Sequence, residues 1–196
     1  DGAVLVISQL YGAGGNAGAT LRNDFIEVFN RGTTTVDLAG WSVQYTSATG
    51  TSWQVTPLCP IGPCLLVPGQ YFLVQEASGG GNGALLPTPD ATGTIAMAAT
   101  AGKVALVSST TPLSGSGCPI GAAVLDFVGY GTTADCFEGT GRAPAPSATT
   151  ADVRKGGGCV DTNDNAADFF VVTPNPRNSS SPLNSCNGQT VDLTIN

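Results

Sequence analysis

Histidine is absent from this 196-residue chain. That removes Ser-His and Cys-His nucleophilic catalysis and every His-ligated metal site. Charge is scarce as well: only 11% of residues are Asp, Glu, Lys or Arg, well under the usual ~25% of globular chains. Seven bases face 14 acids, for a net charge of −7. No run of four basic residues occurs, and Arg154-Lys155 is the sole local basic pair. A surface of that sign repels phosphate backbones and anionic lipid, so nucleic-acid binding is disfavoured. No apolar run approaches the ~20 residues that span a bilayer. No segment reads as a helix of three turns either, because Pro and Gly recur too often.

What the chain does contain suits a β-protein. Hydrophobic residues make up 41%, enough for a core, and 27 Gly with 13 Pro supply turns. Ala3 to Leu10 (AVLVISQL) is a continuous apolar run, which predicts a strand buried on both faces. Asp24 to Asn30 is a second strand, stopped by the Arg31-Gly32 turn. Trp41 to Thr46 alternates, with Trp41, Val43 and Tyr45 on one face, as a half-buried strand does. Tyr71–Gln75, Lys103–Ser108 and Val124–Tyr130 are further strands, Ala151–Arg154 a short edge strand, and Phe169–Val172 an apolar run. Seven or more short strands at this spacing predict an all-β sandwich. Residues 1–178 form that sandwich; residues 179–196 read as a Ser-rich hinge (SSSP) and a last strand, Thr190 to Ile195.

Six cysteines, Cys59, Cys64, Cys118, Cys136, Cys159 and Cys186, are an even set in a polar chain. They read as three disulfides stapling long loops in an oxidising compartment. Zinc needs closely paired thiolates, and only Cys59 and Cys64 are close, within CPIGPC and its two prolines. Six cysteines allow fifteen connectivities; sequential pairing (59–64, 118–136, 159–186) is the expectation. Asp1 reads as a mature N-terminus left by signal-peptide removal, which predicts an extracellular or cell-surface location.

Four constellations invite chemistry. In DTNDNAAD, the oxygens of Asp161, Asn163, Asn165 and Asp168 lie close in sequence, a candidate calcium loop. It is no EF-hand, since Ala166 stands where Gly is needed and Val172 where the bidentate Glu belongs. The competing reading is a set of Asx turns. Gly12 to Ala17 fits G-x-G-x-x-A, but a strand follows it where a dinucleotide site needs a helix, so no organic cofactor is expected. Asp126 sits mid-strand in VLDFVGY and needs a partner, either hydrogen bonds from a turn or a buried pair with Arg142 or Arg154. Tyr11, Trp53, Tyr71 and Phe137 offer stacking surfaces for sugars or bases, with core filling as the default.

The ordered pieces VISQLYG, NDFIEVFNRG, VDLAGWSVQY, LVPGQYFLV, KVALV, DFVGYG and NAADFFVVTPNPRN run across residues 3 to 178. Together they resemble the lamin-tail domain family in its secreted bacterial form. The resemblance implies an immunoglobulin-like β-sandwich. It implies structural hydrogen bonding by Glu27 and Asn30 near the turn, and a core role for Trp41. The family hosts binding and assembly more often than chemistry. The expected function is a non-enzymatic extracellular binding or assembly module, adhering to a surface or matrix partner. The alternative is an accessory domain that tethers a secreted nuclease or phosphatase. Strand-like ends at Ala3–Leu10 and Thr190–Ile195 add self-association through edge pairing, unless TVDLTI packs on its own domain.

Overall fold

The computed structural model describes residues 3–115, 118–119, 121 and 123–186. Its strands are β1 (Leu5–Tyr11), β2 (Phe25–Asn30), β3 (Val36–Asp37), β4 (Ser42–Ser47), β5 (Gln54–Pro57) and β6 (Leu65–Leu66). They continue with β7 (Tyr71–Gln75), β8 (Ala91–Thr92), β9 (Gly102–Val107), β10 (Val124–Tyr130), β11 (Ala151–Arg154) and β12 (Phe169–Val172). A single helical turn, α1 (Asn165–Asp168), precedes β12. One sheet runs β12-β11-β1-β2-β7-β8 and the other β10-β9-β4-β5, with β3 and β6 forming a separate ribbon. Pairing is antiparallel except for β7 with β8.

The two sheets close on a shared core. Ile7, Leu10, Ile26, Val28 and Val74 of the first meet Val43, Tyr45, Val104, Leu106, Val128 and Tyr130 of the second. Ile7 and Leu10 both reach this core although three residues apart, which strict alternation forbids. A register shift between Ile7 and Gln9 supplies the extra residue. β1 is buried along its whole length, as its largely apolar run predicts, Ser8 and Gln9 included.

Three expectations change. β4 is buried on both faces, because the 109–113 segment covers its polar side. Ser42 Oγ donates to the Ser109 carbonyl (2.6 Å), Gln44 Nε2 donates to that of Thr111 (3.0 Å), and Leu113 N–H donates to Gln44 Oε1 (2.8 Å). β11 is interior, since β12 pairs outside it. The expected hinge is tied down. Ser179 N–H donates to Asp90 (2.9 Å), the Ser179 carbonyl accepts from Gln70 Nε2 (2.9 Å), and Asn184 N–H donates to the Gly69 carbonyl (2.8 Å). A Ser-rich stretch reads as flexible only until its polar groups find backbone partners. Residues 187–196, with the expected strand Thr190 to Ile195, lie outside the described residues.

The cysteines pair sequentially: Cys59–Cys64, Cys118–Cys136 and Cys159–Cys186. The last closes a strap over the outer face of the first sheet. Replacing both Cys159 and Cys186 by Ser is expected to lower the unfolding free energy by about 3 kcal/mol, as a loop of this length should. Urea titration of the double variant against the parent protein measures it.

Candidate functional site

Asp126 lies on β10 just past a register shift at Val124, opposite Leu106. Alternation puts it on the same inward face as Val128 and Tyr130. A carboxylate there is taken out of water, so it needs a cation. Of the two candidates the structure selects Arg154. Its Nη2 donates to both Asp126 oxygens (2.9 and 2.7 Å), and its Nε donates to the Ile7 carbonyl (2.9 Å). Ile7 N–H in turn donates to Asp126 Oδ2 (2.6 Å). Nη1 reaches Asp161 (3.0 Å) and Asp168 (3.3 Å). The guanidinium lies 4.6 Å from the Phe169 ring centroid. Arg142 turns elsewhere, its Nε donating to the Ala134 carbonyl.

Burial pushes the Asp126 carboxyl up, and the Arg154 charge pulls it back. Burial alone would lower the Arg154 guanidinium, but Asp126, Asp161 and Asp168 outweigh it and raise it. Glu138 stands beside this group. Burial, then the Asp126 charge, push it up to about 8, against the pull of Arg154. Oxygens of Asp126, Glu138 and Asp161 lie within 4.8 Å of one another, a buried acidic cluster that could hold a metal ion. Four carboxyl groups here face two guanidinium groups, Arg154 and Arg31, the latter 3.5 Å from Asp161.

Of the four residues expected to share a cation, only Asp161 belongs to this cluster. Asp168 accepts from Thr162 N–H (2.8 Å) and Thr162 Oγ1 (2.7 Å) as well as Arg154. Asn163 takes a left-handed φ of 54°. Its N–H donates to Asp161 Oδ1 at 3.4 Å. Asn165 is buried and joins elements. Its Oδ1 accepts from Gly129 N–H (2.9 Å) and Glu138 N–H (3.1 Å), and its Nδ2 donates to the Phe127 carbonyl (2.9 Å). Gly129 permits this approach, since a Cβ there would run into the Cys136 carbonyl.

The residues implied by resemblance sit as follows. Asn30 holds the turn: Nδ2 donates to the Thr34 and Leu66 carbonyls (2.9 and 2.8 Å), and Oδ1 accepts from Gly32 N–H (3.0 Å). Glu27 faces outward from β2 under the strap. It accepts from Ser8 Oγ (2.6 Å), Arg177 N–H (2.6 Å) and Arg177 Nη2 (2.7 Å). Trp41 is half-buried on the rim of the main core. Among the proposed stacking aromatics, Tyr11, Trp53 and Tyr71 are buried, and Phe137 is half-buried against Arg142.

Three buried acids escaped the sequence reading. Asp24 accepts from Gly14 N–H (2.7 Å) and Met97 N–H (2.8 Å), and burial raises it to about 6. Glu76 accepts from Ile95 N–H (2.9 Å), and burial raises it to about 7. Asp152 has no side-chain partner among the described residues, and burial raises it to about 8. Interrupted apolar runs hint at them, but acids at strand ends are common on surfaces too.

These shifts fix a sign. A carboxyl raised on folding binds its proton more tightly in the native state, so its contribution is complete below about pH 4 and lost as pH climbs through the folded value. The unfolding midpoint is therefore expected to fall steadily from pH 5 to 9, with Asp152→Asn flattening the upper part. Thermal melts across that range measure it. Arg154→Met is expected to cost about 3–5 kcal/mol, since it strands buried carboxylates. The Asp126→Leu, Arg154→Met double variant should lose clearly less than the sum of the single changes, as chemical denaturation can show.

The comparisons with known proteins agree with this architecture. Residues 1–120 match the Lamin Tail Domain family. A DUF4876 family protein from Bacteroides thetaiotaomicron VPI-5482 has a crystal structure similar to this fold. The TM-score is 0.59 at 14% identity, over 93% of this chain and 75% of that one. At that identity the likeness shows the fold alone. No curated protein matches the sequence. With its family match spanning more than half its length, the chain belongs to the lamin tail domain family.

Proposed function

We propose that this domain, a binding or structural module by its family, is a non-enzymatic extracellular assembly module that adheres to a cell-surface or matrix partner. One observation carries the reading. The acids that sequence alone offers for chemistry, Asp126, Asp161 and Asp168, are engaged inside the fold by Arg154. Apolar side chains on loops and on two strands face outward, such as Ile61, Leu65 of β6 and Phe170 of β12. Such groups make contacts rather than break bonds. Three disulfides are consistent with an oxidising, extracellular setting. No helix among the described residues is long and apolar enough to cross a membrane. Copies associate by exchange of the strand-like segment at residues 190–195. Purified protein is expected to form oligomers or fibres by light scattering and negative-stain microscopy, and to leave phosphodiester, phosphomonoester and glycan substrates unhydrolysed. Turnover of any of these above blank would overturn the non-enzymatic reading, and monomers alone at high concentration would overturn the exchange.

Calcium is the cofactor of this proposal, drawn by the surplus of carboxyl groups around Arg154 and reached from the Glu138 side. Calcium titration of chelator-treated protein by calorimetry is expected to give heat that Glu138→Gln removes. An absence of heat in the parent protein would end this part of the proposal.

A further inference from the structure

Residues 93–98 belong to neither sheet, yet they tie one to the other. Burial alternates along this segment, with Ile95 and Met97 in the main core and Thr94, Ala96 and Ala98 outward. It runs extended like a strand, but side chains hold its backbone more than a neighbouring strand does. Ile95 N–H donates to Glu76 Oε2 (2.9 Å), just past β7, and Met97 N–H donates to Asp24 Oδ2 (2.8 Å), just before β2. From the second sheet, Tyr45 Oη accepts from Ala98 N–H (2.9 Å), and Tyr130 Oη donates to the Ala98 carbonyl (2.7 Å). Backbone adds Gly93 N–H to the Gln75 carbonyl (2.7 Å) and Ala77 N–H to the Ile95 carbonyl (3.0 Å). Gly93 lets the segment pass this close, since a Cβ there would run into Thr56 Oγ1 and the Glu76 carboxyl.

The two acids that hold the segment stand across from each other. Glu76 N–H donates to the Asp24 carbonyl (2.7 Å), and Asp24 N–H donates to the Ala77 carbonyl (2.8 Å). Alternation from Ile26 and Val74, both in the core, turns both carboxyls inward. Asp24 is 4% and Glu76 1% exposed, and neither forms an ion pair among the described residues. Glu76 Oε1 accepts no hydrogen bond there either. Like charges opposed across two strands repel. The Asp24 charge reaches Glu76 and the tyrosines Tyr11 of β1, Tyr45 of β4 and Tyr130 of β10. Burial raises all three hydroxyls, so they stay neutral and offset nothing.

We propose that residues 93–98 form a proton-controlled strap, closed while the Asp24–Glu76 pair holds at least one proton and released when both carboxyls are charged. Release carries both acids towards water, where each ionises freely, and lifts Ile95 and Met97 off the core. Burial raises Asp24 to about 6 and Glu76 to about 7. The hold on the strap is therefore complete below about pH 4, where the acids are protonated even in water, and is lost as pH climbs through those raised values. The strap is closed in mild acid and loosened above neutrality. This device goes beyond the assembly reading and does not rest on it.

The test is native-state hydrogen exchange on the full chain, read as protection factors so that the intrinsic pH dependence of exchange divides out. Between about pH 5 and about pH 8 the amides of Ile95, Met97 and Ala98 are expected to lose protection by roughly tenfold or more. The amides of Val28 in β2 and Val104 in β9 should lose clearly less, which marks a local opening. Glu76→Gln keeps an oxygen for the Ile95 N–H and carries no charge, so at pH 8 it should restore most of the lost strap protection. Strap protection that is constant with pH in the parent protein would overturn the proposal. So would a loss shared equally by Val28 and Val104, which is global unfolding. Both of these readouts need only the parent protein. A folded Glu76→Gln variant whose strap loosens as the parent's does would overturn it as well.

Discussion

A single guanidinium between two sheets organises this molecule. Arg154 ends β11 in the first sheet, yet it binds Asp126 of the second and the Ile7 carbonyl of the strand beside it. It also holds Asp161 and Asp168 in the loop that leads to β12. Three chain segments, β1, β10 and the loop before β12, are therefore fixed to one planar fork. Arginine suits the task because its five donors diverge in a fixed plane and its charge persists when buried. The cost of hiding such a group is met only when every donor is matched, as it is here. The loop after β11 owes its course to this demand more than to any propensity of its own.

A different logic governs the outer face of the first sheet. Glu27 is buried beneath the strap, and Arg177 answers it while stacking 3.7 Å from the Tyr71 ring centroid. Gln9 exchanges hydrogen bonds with the Asn175 backbone, 2.9 and 3.0 Å. A polar face that would ordinarily meet water is instead closed by a peptide segment carrying its own donors and acceptors. β1 and β2 are thereby covered on both faces, which explains how an antiparallel sheet holds strands as fully buried as these.

Much of the frame was legible in the residues. β1 was readable because its run of apolar residues, broken only by Ser8 and Gln9, leaves little polar face to offer solvent. Asp126 announced its need of a partner, because a carboxylate between Leu125 and Phe127 cannot stand alone, but not which arginine would answer it. Sequential disulfides also followed the spacing. What could not be read was long-range cover. Nothing in Ser42 and Gln44 says that residues 109–113 will lie over them. Nothing in SSSP says that Asp90 and Gln70 wait for Ser179. Calcium-like spacing in DTNDNAAD was legible as oxygen-rich sequence, but its geometry depends on Arg154 and Gly129 from other elements, and on Thr162, which takes up the Asp168 oxygens from within the loop.

The Cys159–Cys186 bond gives the domain a mechanical asymmetry. Tension applied beyond Cys186 passes through sulfur to Cys159, five residues from the buried arginine, and so reaches the interior of the sandwich directly. The intervening stretch, with α1, β12 and the strap, forms a covalent ring that carries no load. A pulled molecule would thus keep its outermost strand in place while the strain fell on the central strands behind it.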